Sequence, residues 1–179
     1  GDMWGTGFFK SNACDFCDDV TTELSDVSFG DAWMEPYNLD GLGTNVIVTR
    51  SKISLNILKK GIENKEIEIK EIGLDVFLSS QQGSFNHRHI GLPYRIKKVE
   101  KNGVVIPPKR FNQKTKELNI SMQLVQYSRM VTRKKSLEFW RNKRNIVGYE
   151  KSMKKYLLML RFFTKINHII RNKITSCKK

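Results

Sequence analysis

The spacing of apolar and polar side chains predicts short strands early in the chain and long helices late. Asp26-Val27-Ser28-Phe29-Gly30-Asp31 alternates, as a half-buried strand does, and Gly30 marks a place where the backbone turns or comes close to a ligand. Residues 34–43 hold Pro36, Asn38, Asp40, Gly41 and Gly43, a loop composition. Thr44 to Arg50 is rich in β-branched residues and reads as a buried strand. A helical pattern follows, with Ile53, Ile57 and Leu58 apolar, Lys59 and Lys60 near its end, and Gly61 closing it. Glu66 to Ile72 alternates strictly, as a strand with one wet face would. Strand, helix, strand over residues 44–72 predicts a βαβ unit with parallel strands and a right-handed crossover.

Beyond Gly73 the pattern is helical, with pieces near 74–82 and 85–101, a break at Asn102-Gly103 and a turn at Pro107-Pro108. Two longer helices are expected over 113–144 and 149–175. In the second, Met153, Tyr156, Leu157, Leu160, Phe163 and Ile170 form the apolar side, with Lys151, Lys154, Lys155, Lys165 and Arg171 elsewhere. Between Tyr156 and Phe163 it is apolar over most of its circumference, so it needs more than one partner surface or a lipid interface. The fold class is α/β, with α+β as the other arrangement. A small mixed sheet with its βαβ unit fills a domain over 1–110, and a basic helical extension occupies 111–179. No internal repeat or low-complexity tract is present.

Composition narrows the function classes. The 179 residues are 39% hydrophobic and 10% aromatic, too apolar for a disordered tail. The formal charge of +14 is unevenly spread: residues 1–50 sum to −7, 51–94 to +1 and 95–179 to +20. A basic C-terminal half suits nucleic acid, an anionic membrane face or an acidic partner, against the plainer reading of a solvated face. Nucleic acid is disfavoured, because only Phe139, Trp140 and Tyr149 interleave with the basic residues for stacking. In the alternative to an enzyme, a non-catalytic binding module, an anionic membrane surface reached through residues 113–175, or an intramolecular dock, fits amphipathic basic helices better. Three cysteines, an odd number, fit a reducing compartment, so the cytoplasm is the expected location, with peripheral membrane association as its variant. Nothing reads as a signal peptide, and the longest apolar run, Tyr156 to Leu160, is far short of the ~20 residues of a membrane span. Gly1-Asp2-Met3 ahead of Trp4-Gly5-Thr6-Gly7-Phe8-Phe9 reads as a cloning scar on a C-terminal fragment of a longer protein.

Candidate chemistry gathers near the N-terminus. Cys14-Asp15-Phe16-Cys17 places two thiols on one tight turn, close enough for one metal centre or a small redox disulfide. A zinc site or an iron–sulfur cluster takes about four such ligands, and Cys177 is the only other cysteine. Two reduced core thiols, a dithiol switch, or half a zinc site completed by a second chain are the competing readings. His87-Arg88-His89 puts two imidazoles at i, i+2 without an acidic partner nearby, which suits surface histidines. Ser28 to Trp33 joins a strand end to a glycine, a carboxylate and an indole, where α/β proteins collect ligand contacts; the plain reading is a turn with a core Trp. Gly41-x-Gly43-Thr44 precedes a strand instead of opening a helix and so lacks the dinucleotide fingerprint.

Taken together, Cys14-x-x-Cys17-Asp18, the block Glu23 to Trp33 and the run Gly43 to Arg50 resemble the C-terminal domain of the coenzyme F-420 hydrogenase/dehydrogenase beta subunit family. The family pattern runs C-x-x-C-x-D, E-x-A-D-I-S-x-G-D-x-W, then G-x-S-x-V-I-V-R-T. Gln81-Gln82 and Arg95 to Lys101 are similar to a segment of bacterial relatives that accompany polysaccharide-synthesis genes, so the resemblance spans roughly residues 8–110. It implies a flavoprotein oxidoreductase subunit that passes electrons between a 4Fe-4S cluster and FAD, with an electron-transfer partner protein or a hydride carrier as its counterpart. By position, Cys14 and Cys17 are the implied cluster ligands, and Gly30, Asp31, Trp33, Gly43 and Thr44 line or support the flavin side. The chain departs from the pattern at Ser25 and Ser51 and lacks a ferredoxin-like C-x-x-C-x-x-C module. The fragment alone is therefore expected to hold no cluster and to be inactive.

Overall fold

The alternating segment and the β-branched run become two strands, β1 (Val27–Asp31) and β2 (Asn45–Thr49), paired antiparallel with Val27 opposite Thr49 and Asp31 opposite Asn45. The computed structural model describes residues 6–109 and 118–176. The chain divides into two units, one formed by residues 19–87 and the other by the segment up to Asp18 together with the chain from Arg88 onward.

In the unit of residues 19–87, α1 (Lys52–Glu63) starts at an N-cap, where the Ser51 hydroxyl accepts from the Ser54 amide at 3.2 Å. Ser54 ties the helix to the sheet by donating to the Asp26 carbonyl at 2.9 Å. Arg50 closes the same corner. Its guanidinium donates to the Thr21 carbonyl at 2.8 Å, the Thr21 hydroxyl at 2.9 Å and the Ser25 carbonyl at 3.3 Å. After α1 comes α2 (Leu74–Ser80), then a helical turn over Gln82–Phe85 and a π turn over Asn86–Ile90.

The class, a mixture of helix and sheet, holds, but the βαβ unit and the mixed sheet do not form. Among the described residues the sheet is a two-stranded antiparallel pair, and residues 66–72 are not a strand. The physical reason is that a parallel strand beside β2 would be covered on both faces. The Glu-Ile-Glu-Ile-Lys-Glu run instead keeps Ile67 and Ile69 exposed and places a charge at nearly every other position. It folds back on α1: the amides of Glu66 and Ile67 reach the Gly61 carbonyl, and the Ile67 side chain comes within 3.0 Å of where a Cβ on Gly61 would sit.

The other unit is a helical hairpin with the N-terminal segment and α3 (Leu92–Glu100) laid against it. Its long members are α4 (Ile120–Lys143) and α5 (Ile146–Ser176). The helix expected over 113–144 thus begins, within the described residues, at Ile120; residues 110–117 and Cys177 lie outside them. Arg144 ends α4 in a left-handed conformation, φ 47°, and the Asn145 side chain caps α5 by accepting from the Gly148 amide at 2.7 Å. Pairing of Ser121 with Asn167 (2.9 Å) and of Thr132 with the Tyr156 carbonyl (3.4 Å) fixes an antiparallel arrangement.

Phe16, Leu92, Val125, Tyr149, Met153 and Leu160 are the buried apolar residues described in this unit. Between the helices lie Ser128, Thr132 and Ser136, fully buried. Their size lets the backbones approach, and Ser128 and Ser136 satisfy their hydroxyls on the carbonyls of Val125 and Arg133 in the same helix. Phe9 stacks on Tyr149 at 5.4 Å and meets the edge of Trp140 at 5.9 Å, and its amide donates to the Ser136 hydroxyl, which docks the N-terminal segment. Among the described residues, no helix is long and apolar enough to cross a membrane.

Candidate functional site

The Cys14–Cys17 turn is built by local hydrogen bonding. Ser11 caps a short 3-10 helix, Asn12–Asp15, accepting from the Ala13 amide at 3.3 Å, and the Phe16 amide closes the turn on the Ala13 carbonyl. Phe16 and Asp15 are buried and act as the anchors, which leaves Cys14 and Cys17 half-exposed and unoxidised on either side. The Phe16 carbonyl also accepts from Lys109 Nζ.

Around this turn the helical unit gathers positive charge. Arg95 is fully buried. Its Nε donates to the Asp15 carbonyl at 2.9 Å and its Nη1 to Gln126 Oε1 at 2.8 Å. The Asp15 carboxylate pairs with Arg133 from α4, itself buried, and lies 3.7 Å from Arg95 Nε. Arg88 donates from Nη1 to Cys17 Sγ at 2.8 Å, and the His89 ring nitrogen meets the Asp18 carbonyl at 2.9 Å.

The electrostatics reflect this crowding. Burial, with Arg129 and Arg88 adding repulsion, pushes Arg95 down to about 10, still a cation at neutral pH. Burial lowers Arg129 and Arg133 as well; for Arg133 the charge of Cys14 works the other way. Lys10 is lowered first by burial and then by Arg133, with Arg88 and Arg95 contributing and Cys14 opposing. Lys10, Arg88, Arg95, Arg129 and Arg133, with Lys109 on the Phe16 carbonyl, thus crowd one region, and Asp15 is the buried carboxylate that pairs with Arg133 and Arg95. A site so positive suits a group of net negative charge, such as metal-bound thiolate sulfur.

The donor set matches an iron–sulfur cluster in kind, because thiolate sulfur is the ligand such clusters take and hydrogen bonds to that sulfur tune them. It supplies two of the roughly four thiolates required. Among the described residues no group of three or more Cys, His, Asp or Glu side chains is placed to hold a metal ion.

The second set of sequence candidates belongs to the unit of residues 19–87 and gathers at one end of its sheet. The Ala32 amide donates to the Thr44 carbonyl at 3.2 Å, which extends the ladder and brings Gly30, Asp31 and Trp33 beside Gly43 and Thr44. Gly43 has φ +83° with open space around it, and the Thr44 hydroxyl donates to Asp40 Oδ2 at 3.0 Å. The Asp31 carbonyl accepts from Gln81 Nε2 at 3.0 Å. Trp33 is 63% exposed and so is no core residue. A cavity on this unit, lined in part by Thr21, Ser28, Gly30, Phe77 and Gln81, holds about 50 Å³. Cofactor sites run to ~300–1,000 Å³, so this cavity by itself does not enclose a flavin.

Sequence reasoning found both cysteines but missed Lys10, Arg88, Arg95, Arg129 and Arg133. One signal was available: Arg129 and Arg133 stand at i, i+4 in line with Gln126 and Ser136, a polar stripe in the middle of a long helix.

Residues 2–74 match the family model that describes the C terminus of the coenzyme F420 hydrogenase/dehydrogenase beta subunit. The match covers the C-x-x-C turn and both strands and stops at residue 74, so Gln81-Gln82 and residues 95–101 lie beyond it. No curated protein and no solved structure matches the chain.

Proposed function

We propose that the chain, which over residues 2–74 carries the C-terminal segment of a coenzyme F420 hydrogenase/dehydrogenase beta subunit, works as part of an iron–sulfur flavoprotein oxidoreductase. In this reading Cys14 and Cys17 are two thiolate ligands of a 4Fe-4S cluster, completed by cysteines from outside the described residues. Held there, a cluster would supply one-electron chemistry, and FAD held by the second set of residues would supply two-electron chemistry. Gly30, Asp31, Trp33, Gly43 and Thr44 are the residues assigned to support the flavin, the rest of whose site comes from elsewhere. An electron-transfer partner protein or a hydride carrier is the external reactant. The observation that carries the reading is the cationic surround of the C-x-x-C turn inside the matched segment.

The chain's own residues have distinct tasks. Asp15 and Phe16 fix the turn, so the two sulfurs are presented together. Arg88 holds Cys17 Sγ in place and offsets its charge. Arg133 and Lys10 lie within electrostatic reach of Cys14. Such cations would favour the more negative, reduced state of a cluster held there and so raise its potential.

The test uses the complete gene product, purified without oxygen and reconstituted with iron and sulfide. Bound iron and sulfide, visible absorbance and a reduced-state paramagnetic signal are expected, and all are expected to be lost in the Cys14→Ser/Cys17→Ser variant. Arg88→Met should keep iron but lower the potential. A protein that takes up no iron, or whose cluster survives loss of both cysteines, refutes the reading.

A further inference from the structure

The outward side of α5 combines positive charge with exposed apolar groups. Lys151, Lys154, Lys155, Arg161, Lys165 and Lys173 recur at intervals that place them on one side of the helix, and all six are exposed. Among them stand Leu158, Phe162 and Ile169, exposed by 56%, 61% and 48%. These three follow the same repeat, at i, i+4 and i+11. The buried positions Met153, Leu160 and Asn167 lie on the side turned to α4, so the hairpin already has its core and the outward apolar groups are surplus to it. Glu150 is the sole carboxylate in α5.

We propose that this face of α5 docks on an anionic membrane surface. The helix lies in the plane of the interface, Leu158, Phe162 and Ile169 enter the boundary between headgroups and acyl chains, and the six cations sit among anionic headgroups. Three features select this occupant. The helix is too charged to cross a bilayer, yet has an apolar centre with basic flanks, which is the pattern of an interfacial helix. Five of the six cations are lysines, point charges that suit a diffuse field of anionic headgroups, where bidentate recognition of a single phosphate would favour arginine. Single-stranded nucleic acid calls for a series of aromatic plates, and Phe162 is the one exposed aromatic side chain on this face.

The test is co-sedimentation of the whole chain with vesicles of phosphatidylcholine alone and of phosphatidylcholine mixed with phosphatidylserine, at low and high salt. Binding to the anionic vesicles, little to the neutral ones and release at high salt are expected. Lys154→Glu/Lys155→Glu/Lys165→Glu should weaken binding by on the order of 100-fold or more. Leu158→Ser/Phe162→Ser should weaken it by about tenfold with the charge unchanged. All five positions are off the hairpin core, and circular dichroism checks that both variants keep wild-type helix content. Absence of binding, equal binding to neutral vesicles, insensitivity to salt, or wild-type binding by either variant overturns the proposal. So does tighter binding to single-stranded RNA than to anionic vesicles, which would assign the face to nucleic acid.

Discussion

Replacing Asp15 by Asn tests whether the cationic surround of the cysteine turn is held by a buried charge pair. Asp15 is 4% exposed, and its partners Arg133 and Arg95 are 4% and 0% exposed. The substitution keeps the shape and one acceptor oxygen but leaves two buried guanidinium groups without their carboxylate, beside Lys10, Arg88 and Arg129. Breaking a buried pair by removing one partner costs ~3–5 kcal/mol, because the remaining charge is desolvated and uncompensated. The retained acceptor puts the expectation near the lower end, about 3 kcal/mol, a large share of the ~5–15 kcal/mol of an ordinary domain. Urea unfolding followed by Trp140 fluorescence, in a background with Trp4→Phe and Trp33→Phe, reports the helical unit alone. With a slope of ~1–3 kcal/mol/M the midpoint should fall by about 1–3 M. Adding Arg133→Met to Asp15→Asn should restore much of the loss, because an apolar replacement of the pair removes the orphaned charge. A loss below ~1 kcal/mol, the range of exposed pairs, would refute a buried origin for the coupling.

Two further outcomes follow from the hairpin core. Met153 is fully buried between α4 and α5, so Met153→Ala should cost ~2–5 kcal/mol in the same urea assay, whereas Leu158→Ala on the exposed side should cost well under 1 kcal/mol. Tyr149 has its phenol pushed above the usual value of 10.0, first by burial, with the Ser136 hydroxyl acting the other way. A raised folded pKa means that the native state holds its proton longer, so this contribution is intact below pH 10 and is lost as pH rises through the folded value. Wild type should therefore lose stability between pH 9 and 11 more steeply than Tyr149→Phe; parallel urea midpoints across that range would refute it.

What could be read from the sequence was what depends on neighbours along the chain. Val27–Asp31 and Asn45–Thr49 were legible as strands, and Ile53 to Gly61 as a helix, because period and capping residues are local. The partner of β2 was not. The Glu66–Ile72 alternation satisfies the strand pattern as well as Val27–Asp31 does, and the difference lies in what covers its far side, a non-local fact. The cysteine turn was legible by spacing, while its surround was not, because Lys10, Arg88, Arg95, Arg129 and Arg133 come from four separate stretches. Read singly, each arginine is a solvated charge.

The polar inner face of α4 is where local rules and the fold disagree most. A helix required only to complete a hairpin would bury Leu124 and Tyr127 and expose its arginine and glutamine. Here Leu124 and Tyr127 are exposed, while Gln126, Ser128, Thr132, Arg133 and Ser136 are buried. The serines and the threonine have a packing reason, close approach of α5. Gln126 has a partner in Arg95, and Arg133 has one in Asp15. Neither pairing accounts for Arg129 or Lys10, whose desolvation the fold tolerates in the same neighbourhood as Cys14 and Cys17. Proteins accept such locally unfavourable arrangements mainly at functional sites. Packing alone gives Arg129 and Lys10 no compensating partner among the described residues; an added negative charge at the cysteine sulfurs, the one the proposed cluster reading calls for, would offset them.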